Sequence, residues 1–552
     1  MACRQTRAIY AKQLAWDASP LRPTVRVDAD DYVPCRCTIP TEIYTEPPQR
    51  SGLILIIDPL PDLCYPFPIN QCFGGFMQRL RTLLNRLFGT LPGLMLVAVA
   101  WDALIVATLA PFSGPLQGLG LAELLRLDFS DAHRVGRIIM LYHSLAIPFV
   151  AALVYLVLDQ VPIGSSGGEN SGQGLPKAVR SIVTPITVGY MLTSIGGMTF
   201  AYAASASGGR NWFFHGVYLV GLSLVFYGGV LLAIALWPSR RWTEDPARFS
   251  HLAGVPLERV AFFVVALFTL ISAAIGGAAG AFFGNGMEAF LAEDIVRVDP
   301  HTIFELMIIA HLHIMLTLID VMILLIVIRT YRVEGRAHKL AVPLTIVGTI
   351  IVTFATWSVI GWEGAHKVIN IGSAFLLPGA FLVAIWGFAR LVREGVGDGP
   401  ARAGQKLRAL LSDPVRFGIF FELIFVNVVV TVPGVYVAFN LETYRTPAYL
   451  AVERTILVGH WHVLATLSAV IALLLIADRL GTRGWVRQVV GWGLLAGSTL
   501  SFLFVNLYMF RQPGQEKAWT VPIFETGIAV SLVALAIFVA VHLMGYLRRP
   551  AR

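Results

Sequence analysis

Apolar positions in this chain neither alternate nor recur every three or four residues; they run on. From about residue 90 to the C-terminus, long apolar stretches follow one another, separated by short polar or arginine-bearing segments. A helix rising 1.5 Å per residue needs about 20 apolar residues to cross the hydrocarbon core of a bilayer. Twelve runs of that order lie near 91–112, 138–160, 181–204, 212–237, 258–283, 303–328, 341–362, 371–391, 417–439, 455–477, 488–510 and 521–546. They predict an all-α, polytopic membrane protein with twelve transmembrane helices in a membrane domain over residues 76–552. Residues 1–75 read differently. They are polar and rich in proline, and their one apolar patch, Leu53–Ile57, is too short to span. That segment is expected to be a cytoplasmic N-terminal extension. No basic stretch leads there into an apolar one with a cleavage site, so no cleaved signal peptide is expected.

Composition excludes a soluble enzyme: 56% of the 552 residues are hydrophobic and 14% charged, with a mean hydropathy of +0.69. The net charge of +8 belongs to the loops, where it reports orientation and gives no reason to expect a nucleic-acid partner. Arg79, Arg81 and Arg86 precede the first run, and Arg240, Arg241 and Arg248 follow the fourth. Arg329, Arg332, Arg336 and Lys339 follow the sixth, Arg479, Arg483 and Arg487 the tenth, and Arg548, Arg549 and Arg552 the twelfth. The alternate loops are poorer in Lys and Arg, residues 125–137 excepted. The positive-inside rule then gives a multi-pass protein of the cytoplasmic membrane, in contact with lipid and with both termini cytoplasmic. All five cysteines (Cys3, Cys35, Cys37, Cys64, Cys72) precede the first run, none in a CxxCH haem-attachment motif, and they are expected to be free thiols.

Ionisable side chains inside lipid are costly and usually mark function. His143 opens run 2, His311 and His313 open run 6, His460 and His462 open run 10, and His366 lies just past run 7. Alternating spans bring all of them to one depth, near the outer face. Within Val458-Gly-His460-Trp-His462, residues two apart on a helix differ by about 200°. The two rings cannot share one metal, but they can serve two metals on opposite flanks.

This constellation resembles the catalytic subunit I of the haem-copper oxidase and nitric oxide reductase superfamily, a twelve-helix protein whose tenth helix carries His-x-His. The resemblance covers about residues 90–546. It implies that His460 is the axial ligand of a high-spin haem, and that His143, in Leu141-Tyr-His143-Ser, and His462 are the axial pair of a low-spin haem; both haems would be b-type. It also implies a nonhaem iron or copper facing the high-spin haem. Its helix 6 ligand is expected at His311 in Ala310-His311-Leu312-His313. The family's His-His pair at the end of helix 7 is here Ala365-His366, so His366 remains, and Glu363, three residues earlier, would add an oxygen ligand that favours iron. Met315 stands one turn after His311, and residues 341–366 contain no tyrosine. The redox tyrosine of the family's oxygen-reducing members therefore has no counterpart. The expected activity is an oxidoreductase reaction, reduction of nitric oxide to nitrous oxide. The alternatives are a terminal oxygen reductase, a haem-binding electron-transfer subunit without the second metal and, from another class, a transporter. No c-type haem or copper domain is encoded, so electrons would come from a cytochrome c-type or copper-domain subunit, or from quinol.

Other ionisable residues read more plainly. His133 is expected in a loop, His215 in the core, His313 in packing, and His251, His301, His338 and His542 solvated near interfaces. Asp102, Asp159, Asp320, Glu422 and Glu525 are either proton-path groups or structurally paired.

Overall fold

The computed structural model describes residues 69–109, 131–163, 175–203, 212–238, 247–282, 303–362, 364–397, 399–444 and 446–548. Of the residues singled out above, Arg240, Arg241, His301, Glu363, Arg549 and Arg552 lie outside them, as does the extension up to residue 68.

Twelve helices among the described residues are long and apolar enough to cross a membrane, and the chain is an all-α polytopic membrane protein. They are Leu91–Leu109, Asp131–Gln160, Lys177–Ala203, Trp212–Ala235, Leu257–Phe282, Ile303–Thr330, Gly335–Ser358, Ala365–Val396, Pro414–Phe439, Leu450–Arg479, Gly484–Met509 and Val521–Arg548; we number them spans 1–12. Several overrun their apolar stretch, because a helix that satisfies its own backbone can continue into the interface. The buried share is 61% in spans 9 and 10 and 17% in span 12, which puts the former inside the bundle and the latter on its rim. Span 9 changes pitch midway: Pro414–Val426 is α-helical, Asn427–Thr431 forms a π turn, and Val432–Phe439 resumes the α-helix. Pro433 has no N–H for the preceding turn, which loosens the ladder there.

Ahead of span 1, Ile69–Phe88 forms a further helix that begins before residue 76. Met77, Leu80, Leu84 and Phe88 are exposed along one edge of it, among Arg79, Arg81 and Arg86. An amphipathic helix of this composition lies in a membrane interface. It is too polar to be read as a span.

One end of the bundle is tied by ion pairs. Arg487, in span 11, donates to Asp413 before span 9 (2.7 and 2.8 Å) and to Asp478 at the end of span 10 (2.6 Å). Burial holds the Tyr331 hydroxyl well above its ordinary range, so it stays protonated and donates a hydrogen bond to Asp478 at 2.9 Å. Arg390 of span 8 reaches the Tyr331 carbonyl. Arg479 grips both carboxylate oxygens of Asp159, at the end of span 2. Asp159 is thus a structural partner. His338 departs from expectation at this end. It is 0% exposed, because a turn built on the short hairpin His251–Leu252 and Val255–Pro256 folds over it. The Ser250 N–H donates to its Nδ1 at 3.0 Å, which leaves the Nε2–H to donate to Glu258 at 3.2 Å.

Packing divides the bundle into two halves. Toward the ion-paired end, spans 2, 6 and 10 are buried almost without interruption, over Ala151–Leu158, Ile323–Ile328 and Val470–Ala477. In the opposite half, most residues of the same three spans keep part of their surface accessible, apart from narrow buried stripes such as Ala310, Ile314 and Leu318 on span 6 and Val463 and Leu467 on span 10. Protein interiors normally pack to the density of organic crystals. The central helices therefore part in the half that carries the histidines.

Candidate functional site

Five of the six expected ligands fall in that open half. Span 2 is tied to span 10 by the Asp159–Arg479 pair, and His143 and His462 lie sixteen and seventeen residues from it. At 1.5 Å per residue both stand about 25 Å along their helices from one shared anchor. The equal distances account for their meeting depth. The Tyr142 hydroxyl lies 3.2 Å from His462 Nε2, so the two helices are in contact at this level. His143 is oriented from another side, by the Tyr218 hydroxyl of span 4 at 2.7 Å from its Nδ1.

On the other flank of span 10, His460 packs against bare backbone. A Cβ placed on Gly434 would stand 2.9 Å from its Cε1. The π turn at Asn427–Thr431 adds a residue to the turn just ahead of Gly434 and so sets which face of span 9 reaches His460. Thr431 donates to the Asn427 side chain at 3.1 Å, and Asn427 to the Leu423 carbonyl at 2.7 Å, both inside this wide turn.

The two span 6 histidines part company, as a 200° separation demands. His311 turns to span 5. Its Nδ1–H donates to the Ser272 carbonyl at 2.8 Å, and its ring lies where a Cβ on Gly276 would be. A carbonyl can only accept, so His311 carries its proton on Nδ1. His313 turns inward, within electrostatic range of both His460 and His366. His313, expected in packing, is thus the span 6 histidine within electrostatic range of His366 and His460, while His311 is engaged with span 5. His366 itself is in the first turn of span 8. Span 7 ends at Ser358 and span 8 begins at Ala365, with a turn following span 7; Glu363, expected as an oxygen ligand beside His366, lies outside the described residues. His215 is buried against Phe200, in the core as expected.

The donor set consists of imidazoles, a ligand type that haem iron accepts. Neutral imidazoles can ligate iron, and a ring engaged at one nitrogen, as His143 is by Tyr218 at Nδ1, is fixed in orientation. Gly434 and Gly276 let the His460 and His311 rings approach helix backbone closely, the first by its Cε1 edge. Among the described residues no three His, Cys, Asp or Glu side chains are grouped to hold one ion. The histidines form a row across the open half, with rings on both flanks of span 10.

Sequence reading missed the groups that aim these rings. Tyr142 could have been noticed, being adjacent to His143. Tyr218, Ser272, Gly276 and Gly434 carry no signal of their own, because each acts through a neighbour remote in sequence. No model of a known protein family matches the chain, and no curated protein is similar to it.

Proposed function

We propose that the chain is a membrane haem oxidoreductase of the haem-copper superfamily type, which reduces nitric oxide to nitrous oxide. One observation carries the reading: histidines from spans 2, 6, 8 and 10 meet at one depth, in the half of the bundle where the central helices part. His143 and His462 would hold a low-spin haem, His460 a high-spin haem on the opposite flank, and His313 with His366 a nonhaem metal facing it. His311 remains a further imidazole on the span 5 side. When bound, these groups carry electrons from a donor subunit or quinol to two molecules of nitric oxide. Two electrons and two protons then give one nitrous oxide and one water. The chain's own residues orient the ligands, through Tyr218 at His143 and Gly434 beneath His460, and hold the site within the bundle.

Nitric oxide is preferred to dioxygen because no tyrosine stands in the span 6 and span 7–8 segments that would hold the nonhaem metal; Tyr142 and Tyr218 are on the low-spin side. Residues 341–366 have none, and one turn after His313 stands Thr317, whose hydroxyl donates to the His313 carbonyl at 3.0 Å. Splitting dioxygen draws an electron and a proton from such a group.

The test is a reduced-minus-oxidised optical spectrum of the purified full chain, then turnover with an artificial electron donor. Two haem signals and faster consumption of nitric oxide than of dioxygen are expected. Rapid four-electron reduction of dioxygen would overturn the choice of substrate, and absence of any haem signal would overturn the whole reading.

A further inference from the structure

The packed half of the bundle is not uniformly dry. Spans 6 and 10 cross it with Ile323–Ile328 and Val470–Ala477, which offer neither a hydroxyl nor a charge. Spans 1–3 cross it differently. Tyr155, 0% exposed, stands one turn in from Asp159 on span 2 and donates to the Thr187 hydroxyl of span 3 at 2.7 Å, which in turn donates to the Val183 carbonyl. Tyr190 stands nearly one turn further along span 3. It is also fully buried, within electrostatic range of Tyr155 below it and of Asp102 on span 1. Its hydroxyl has no hydrogen-bond partner among the described residues, and neither have Oδ1 of Asp102 and the indole N–H of Trp101. Asp102 is partly accessible, whereas Leu94–Leu96 and Ala98 behind it on span 1 are buried, so it sits where the packed half gives way to the open one.

We propose that Asp102 is a proton-exchanging acid, reached from the ion-paired end through Tyr155, Thr187 and Tyr190, that supplies protons to the half of the bundle holding the histidines. Four groups from three spans lie in sequence along the bundle axis, at the level where Ile323–Ile328 of span 6 and Val470–Ala477 of span 10 carry neither hydroxyl nor charge. Hydroxyls both donate and accept, so each can pass on one proton as it receives another; no electron moves. Buried polar atoms without partners are rare in folded proteins and point to a water or a mobile proton. No Lys or Arg faces Asp102 among the described residues, so nothing fixes it as half of an ion pair. The apolar stretches of spans 6 and 10 deny protons any comparable route there. The path serves any proton-consuming reaction in the open half and stands apart from the identity of the cofactors.

Infrared spectroscopy of the full chain in liposomes tests it without any turnover. A carboxylic acid C=O band that disappears in Asp102→Asn is assigned to Asp102, and its shift is then timed after D2O is added on the ion-paired side alone. Exchange at least tenfold slower in Tyr155→Phe and in Tyr190→Phe is expected, since each keeps the ring and removes the hydroxyl. An unchanged exchange rate in both Phe variants, exchange only from the opposite side, or absence of any such band would overturn the proposal. Because the measurement needs no haem, its failure is distinct from failure of the reaction proposed above.

Discussion

A histidine has two ring nitrogens, and what holds one decides what the other can do. At His143 the Nδ1 partner is Tyr218, a residue fully enclosed between spans 2 and 4. Partners of this kind typically change metal affinity or activity about 10–100-fold when removed. Tyr218→Phe is therefore expected to lower haem retention on the His143 side by about that factor, read as the low-spin absorbance remaining after dilution. His143→Ala and His462→Ala should each remove the low-spin band altogether and leave the chain in the membrane. An unchanged low-spin spectrum in either would break the assignment of this pair.

The elements show how far sequence reaches. All twelve spans were legible because lipid imposes one requirement, a long apolar helix, that tertiary contacts cannot override. The depth of His143, His311, His460 and His462 followed from counting along those helices. Which way each ring points did not. His311 and His313 differ by a rotation about one helix axis, and only the packing of spans 5 and 10 against span 6 determines which of them faces inward. The π turn in span 9 was equally invisible, since Asn427-Val-Val-Val-Thr431 reads as ordinary apolar helix. Its effect is testable at Gly434. A methyl there would press on the His460 ring, and overpacking of this kind costs about 1–3 kcal/mol. Gly434→Ala should lower thermal stability by that amount and shift the high-spin haem spectrum, while Gly434→Ser should do no better. A shift in stability with an unmoved spectrum would mean that His460 does not hold the haem.

Across the whole molecule the two ends have opposite tasks. The ion-paired end is the clamp. Arg487 joins spans 9, 10 and 11 and is 16% exposed, with Asp478 at 14%; removing it leaves Asp413 and Asp478 with Arg416 at 3.6 Å, and Asp478 with Tyr331, as their remaining partners. Breaking a buried pair outright costs about 3–5 kcal/mol, and the partners that remain here keep the cost of losing Arg487 below that. Arg487→Met should therefore lower the melting temperature of the detergent-solubilised chain by several degrees, whereas the exposed Arg248–Glu334 pair should be worth under about 1 kcal/mol, as surface pairs are. Equal effects at the two pairs would mean that the clamp does not bear the load assigned to it.

The packed half has an electrical consequence. A membrane voltage falls where the dielectric is lowest, and here that is the apolar layer formed by Ile323–Ile328 and Val470–Ala477 rather than the parted half beyond it. Most of the field is thus confined to roughly half the thickness of the bundle. A charge crossing that layer feels nearly the full potential, about 2.3 kcal/mol for each 100 mV. A proton drawn inward past Tyr155 and Tyr190 would cross it, and one arriving from the histidine side would not. The dependence of turnover on an imposed voltage would thus reveal from which side of the membrane the protons come.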